Sequence, residues 1–184
     1  MRLTKSIATA AIATAVLAAC SQQEAGNNAA ADQTTEAAGE GTIAAGLSSD
    51  RKFADAVKNA GLDRTLDGPG PYTVLVPTDA AFDKLPAGSL DTLMKAEGRA
   101  ELTRLLTAHI LPGTILAADI AKAIEQGGGK ATLPTMGGAT LTATKEGDAI
   151  VLTDAGGGKA TVSQADGKRS NGVIHHIDAV LLPG

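Results

Sequence analysis

Tyr72-Thr73-Val74-Leu75-Val76-Pro77-Thr78-Asp79-Ala80-Ala81-Phe82 is the stretch whose reading decides the fold. Tyr72 to Val76 are aromatic, β-branched or aliphatic, the composition of a strand. Ahead of them, Gly68-Pro69-Gly70-Pro71 is a turn cluster. Pro77 closes the strand because it has no N–H to give to a ladder. Thr78 or Asp79 then caps a short helix through Phe82, its side-chain oxygen meeting the unpaired N–H groups of the first turn.

Around this strand the first half of the chain has helical texture. Between Arg51 and Gly61, Phe53, Ala56, Val57 and Ala60 recur at helical spacing, with Asp50 placed to cap and Gly61 to terminate. Further helices are expected over Ser89–Lys95, Arg99–His109 and Ala117–Gln126. In the second of these, Leu102, Leu105, Leu106 and His109 fall on one face. Pro112-Gly113 and Gly127-Gly128-Gly129 are stops.

Beyond Gly129 the texture changes to short apolar runs between glycine turns. Strands are expected near Ala139–Thr144, Ala149–Thr153, Lys159–Ser163 and Val173–Leu182. Helices in the first half, strands in the second and one strand embedded early read as an α+β fold. The glycines at 127–129 and 156–158 lack the Gly-Lys-Ser/Thr ending of a phosphate loop, so they are turns.

The N-terminus has a different character. Arg2 and Lys5 precede an apolar run from Ile7 to Leu17. A run of about ten residues is half of the roughly twenty needed to span a bilayer, but suits a secretion signal. It ends Leu17-Ala18-Ala19-Cys20, which resembles the lipobox of bacterial lipoproteins. Residues 1–19 are therefore expected to be a signal peptide and Cys20, the chain's only cysteine, the lipid-attachment site. By resemblance to the lipoprotein sorting rule, Ser21 favours the outer membrane, facing the periplasm or the cell surface. Residues 20–41 are expected to form the lipidated end and a disordered tether. From Ser21 to Gly41 there is no aromatic or branched aliphatic side chain, and the only charges are Glu24, Asp32, Glu36 and Glu40. A flexible coil of that length spans ~25 Å.

Residues 42–184 are the size of one domain. They hold fourteen Lys and Arg against sixteen Asp and Glu, a balance of −2. With two Phe, one Tyr and no Trp in the chain, the core must be built from Leu, Ile, Val and Ala. The absence of a basic block or an aromatic platform argues against a nucleic-acid partner.

Three segments together resemble one family, the fasciclin domain. Residues Tyr72–Phe82 are similar to its first signature block, and Leu105-Leu106-Thr107-Ala108-His109-Ile110-Leu111-Pro112-Gly113 to its central block. Asn171-Gly172-Val173-Ile174-His175-His176-Ile177-Asp178-Ala179-Val180-Leu181-Leu182-Pro183 resembles the block that ends the domain. The resemblance implies a wedge-shaped β-sandwich with helices packed along one side. It also implies a non-enzymatic module of adhesion or matrix contact, displayed outside the cytoplasm. The family's central block often carries a Tyr directly before the His, a pair implicated in adhesion in some animal members. Here that position is Ala108, so a contact through the pair is not carried over.

Six residues of these blocks are candidates for an interaction or structural motif: His109, Asp79, Asn171, His175, His176 and Asp178. His109, on an apolar helical face, reads first as a buried histidine joining helix to sheet. His175 and His176, adjacent on a strand, point to opposite faces and cannot easily share an ion, so neither a metal nor a cofactor is expected. Asp178 with a histidine and a serine invites a hydrolase reading, but nothing resembles a nucleophile elbow. Asp178 and Asn171 are better placed to bond backbone at a strand end, and Asp79 to cap a helix. The expected function is a membrane-anchored protein-interaction or adhesion module with a protein or matrix partner. The alternative is a small-ligand or lipid-binding protein using an apolar cleft.

Overall fold

A computed structural model describes residues 39–183. The signal segment, Cys20 and most of the expected tether lie outside the described residues. The helices are α1 (Ile43–Gly46), α2 (Arg51–Ala60), α3 (Asp63–Asp67), α4 (Asp79–Asp83), α5 (Ser89–Leu93), α6 (Arg99–Ala108) and α7 (Ala117–Gln126). The strands are β1 (Tyr72–Pro77), β2 (Ile110–Pro112), β3 (Lys130–Pro134), β4 (Thr140–Glu146), β5 (Ala149–Thr153), β6 (Lys159–Arg169) and β7 (Gly172–Ile177). The α+β class is as expected.

One sheet runs in the order β2-β1-β7-β6-β5-β4-β3. All neighbours are antiparallel except β1 and β7, which are parallel with Leu75 opposite His175 and Val76 opposite His176. The first and last signature segments thus lie side by side. After β3 the chain returns to β2, where the Met136 N–H donates to the Ile110 carbonyl at 2.7 Å. This contact brings the two ends of the sheet together, in the manner of a sandwich that nearly closes.

Two apolar cores result from the strand alternation. Val74, Val76 and Ile174 face the helices, where they meet Ile43, Phe53, Val57, Leu66, Leu102 and Leu106. Leu75 and Ile177 face the other way, into a core with Leu111, Ile120, Ile124, Leu141 and Leu152. Both cores are almost wholly aliphatic, with Phe53 and Phe82 adding to the first. That matches a chain so poor in aromatics.

Several boundaries differ from the sequence expectation. The strand expected over Val173–Leu182 ends at Ile177, because Asp178 turns back to bond Thr161. The strand expected over Lys159–Ser163 continues to Arg169 and serves both halves of the sheet. It does so through register shifts between Val162 and Gly167, and Asp166 there adopts φ +60°, a conformation that Asp tolerates better than most residues. His109 caps α6 instead of continuing it. Short β2, like α1 and α3, has too few residues to show a period, whereas β3, not expected from the sequence, alternates exposed and buried around Ala131 and Leu133.

Capping follows a less local pattern than the sequence suggests. Thr78 Oγ accepts the Ala81 N–H and caps α4. Asp50 makes no capping bond to α2. Asp79 does so instead, across the fold, accepting the Lys52 N–H at 3.1 Å. At the start of β7, Gly172 has φ +150°, and a Cβ there would strike the Tyr72 carbonyl oxygen of the neighbouring strand. Gly172→Ala is accordingly expected to cost about 2 kcal/mol, read as a lower denaturant midpoint at unchanged m-value.

Candidate functional site

The sequence candidates do not converge on one cleft. They occupy three places, and each place is a junction between elements.

His109 stands at the C-terminal end of α6 and is fully buried. Its Nδ1 lies 2.8 Å from the Leu105 carbonyl, and the Leu181 N–H donates to Nε2 at 3.1 Å. A carbonyl can only accept and a backbone N–H can only donate. These partners therefore fix the neutral tautomer with the proton on Nδ1. Phe53 of α2 meets the ring edge-on, with centroids 6.2 Å apart. Burial lowers the pKa to about 4, against the opposing pull of the Leu105 bond and the Asp154 charge.

Asn171, in the turn between β6 and β7, uses all of its amide. Oδ1 accepts the Ile43 N–H at 2.8 Å, and Nδ2 donates to the Leu66 and Gly68 carbonyls, each at 2.8 Å. One side chain thereby holds the start of α1, the end of α3 and the turn into β1. Residues at the end of the expected tether meet the same corner, where the Ser170 N–H donates to the Gly41 carbonyl at 2.8 Å.

The remaining four candidates line the end of the β1–β7 pair, on two faces. His175 is fully buried on the sandwich side. Its Nε2 bonds the Ile115 carbonyl at 2.8 Å, and its Nδ1 accepts the Asp166 N–H at 3.2 Å. Asp166 Oδ1 in turn accepts the Ala117 N–H at the start of α7. His176 faces the helices and bonds Asp50 Oδ2 through Nε2 at 3.1 Å. Asp79 holds α2 as described, and Lys52 reaches Asp83 beside it. Asp178 Oδ1 accepts the Thr161 N–H at 2.6 Å, while its carbonyl accepts from Lys84 Nζ at 2.7 Å.

What can this arrangement do chemically? Ser49 Oγ donates to Asp50 Oδ2, the same oxygen that His176 meets. The carboxylate therefore stands between hydroxyl and imidazole. A nucleophilic serine needs the imidazole itself as its partner, so this cluster is not a hydrolase triad. Among the described residues no three His, Cys, Asp or Glu side chains are grouped as metal ligands.

Two residues of this framework have long-range roles that the sequence does not signal. Asp154, before a run of glycines, reads as a plain turn residue. In the structure it is buried, with Oδ1 accepting the Gly158 N–H and Oδ2 the Leu182 N–H. Asp50 looks like a local cap, yet its oxygen goes to a histidine far along the chain.

The Fasciclin domain family model matches residues 49–183. The chain belongs to the fasciclin-domain family. Protein sll1483 of Synechocystis sp. is 41% identical over 141 residues, covering 77% of this chain and 71% of that protein. Pig transforming growth factor-beta-induced protein ig-h3 is 36% identical over 129 residues, and mouse stabilin-1 is 37% identical over 133. The fasciclin domain here spans only 17% and 5% of those two proteins. Among solved structures, a FAS1 domain pair from the insect cell adhesion molecule fasciclin I aligns with TM-score 0.57 at 25% identity. That alignment covers 71% of this chain and 44% of the pair. Fasciclin domains therefore occur in adhesion proteins, and the fold is theirs.

Proposed function

We propose that this fasciclin domain is a non-enzymatic adhesion or protein-interaction module, anchored in the cell envelope through a lipid on Cys20. The observation that carries the reading is the family match over residues 49–183, in a fold shared with a cell adhesion molecule. A further support is that the candidate residues are engaged inside the domain: His109, Asn171, His175, Asp79 and Asp178 with backbone groups, and His176 with the Asp50 carboxylate. This leaves recognition to the outer surface. The anchor rests on the sequence of residues 1–20, and the outer membrane facing the periplasm or the cell surface is its expected place. Weak single contacts would be offset by many copies displayed in one membrane. The test is a strain lacking the protein: reduced attachment or matrix retention, restored by the wild-type chain, is expected. Unaltered attachment would count against adhesion.

A groove of about 590 Å³ between α5, α6 and the segment after β7 favours a second reading, an envelope small-ligand or lipid-binding protein. Its size is within the range of ligand pockets. Leu93, Leu105 and Leu182 give it apolar walls, and Thr92 and Glu101 add polar groups. Native mass spectrometry of protein purified from its host distinguishes the two readings. A stoichiometric co-purifying small molecule or lipid, apart from any anchor, favours this one.

A further inference from the structure

The segment that follows β7 leaves the sheet and is held by side chains of two other elements on consecutive N–H groups. Leu181 donates to His109 Nε2 at 3.1 Å, and Leu182 donates to Asp154 Oδ2 at 2.9 Å. Leu181 is buried in the sandwich core, whereas Leu182 is 52% exposed. Leu182 and Pro183 form one wall of the groove against Leu105 and Glu101 of α6. His109 Nε2 is an acceptor that a proton disables. An imidazolium has no free lone pair, so a protonated His109 meets the Leu181 N–H with an N–H of its own. Asp154 Oδ1 is occupied by the Gly158 N–H, so Oδ2 is the oxygen that holds Leu182.

Few other charges bear on this junction. Asp154 is the charged group acting on His109, and α2 presents only the Phe53 ring. On α6, Glu101 and Arg104 lie 3.6 Å apart as a pair. Asp178, at the start of the segment, lies 3.9 Å from Lys84. Lys159, near Asp154 in sequence, is engaged with Glu146 at 3.0 Å.

We propose that residues 179–183 are an acid-released latch: protonation of His109 breaks its hold on Leu181, frees the segment from the end of α6 and from Asp154, and opens the groove that it walls. The pieces are coupled because His109 also grips Leu105, on the opposite wall of that groove. Burial keeps His109 neutral until its pKa of about 4 is approached. Release hydrates the ring and lets it take the proton at a higher pH, so acidification favours the open form. Leu181 is the one fully buried side chain that must leave the core, with Ala179 and Val180 only partly buried beside it, which makes the opening local.

Amide hydrogen exchange on the full chain tests the latch, with protection factors corrected for the intrinsic pH dependence of exchange. Between pH 6.5 and 4.5, protection at Leu181 and Leu182 is expected to fall at least tenfold. Val74 and Ile174, in β1 and β7, should fall much less. In Asp154→Asn, Leu182 should start less protected, because an amide offers one oxygen where two N–H groups are held. The proposal is overturned if Leu181 and Leu182 keep their protection down to pH 4.5. It is equally overturned if they lose it only in step with Val74 and Ile174, since that is global unfolding.

Discussion

His109→Ala is expected to lower the unfolding free energy by about 4 kcal/mol at pH 7, the range for emptying a buried aromatic-sized site. The substitution removes the bond to the Leu105 carbonyl and leaves the Leu181 N–H buried without an acceptor. For a domain of this size that corresponds to a melting temperature lower by roughly 10 °C. The wild-type protein should also carry an acid signature. Between pH 6.5 and 4 the unfolded chain binds a proton at this ring while the folded chain does not, because burial holds the folded pKa at about 4. Stability therefore falls as pH falls through that window, by up to about 3 kcal/mol from this group. Urea unfolding at a series of pH values checks both points. The His109→Ala variant should show a correspondingly flatter dependence over the same range.

Asn171→Ala should cost about 3 kcal/mol. It strips a partner from the Ile43 N–H and from the Leu66 and Gly68 carbonyls at once, and each unsatisfied group costs about 1–3 kcal/mol when buried. Water can reach part of this corner, which keeps the sum below the upper limit. Asn171→Asp tests the direction of the bonds. A carboxylate can still accept from Ile43 but faces two carbonyl oxygens with no hydrogen to give. It is expected to destabilise at least as much at pH 7 and to recover on acidification, when the carboxyl regains a donor. Thermal melts of both variants, with amide exchange at Ile43, would show whether α1 loosens first.

Much of this fold is legible in the sequence where a rule acts over a few residues. Tyr72–Val76 announces a strand by composition, Pro77 ends it, and Thr78 caps the helix that follows. The apolar spacing of α2 and α6 matches the faces they bury. What local rules cannot reach is pairing between distant segments. Nothing in the period of either segment places Leu75 beside His175, yet that parallel register sends His175 to the sandwich and His176 to the helices. Capping fails for the same reason. Asp50 is the residue next to α2, but the carboxylate that serves the helix is Asp79, delivered by the β1–α4 connection. Asp154 escaped notice because its partner, the Leu182 N–H, comes from a segment that reads as strand and is not.

This placement gives the candidate residues a common meaning. His109, Asn171, His175 and Asp178 each join elements that are far apart in the chain. In this protein the signature segments build the framework that presents the outer surface. An anchored interaction module needs only that surface and a tether.

Proximity labelling in the host, from the full chain and from Cys20→Ala, tests the anchored-module account most directly. The account predicts that the wild-type chain labels a small, reproducible set of envelope or matrix proteins, and that the set is lost or replaced when Cys20 is absent. Indistinguishable labelled sets from the two chains would contradict it.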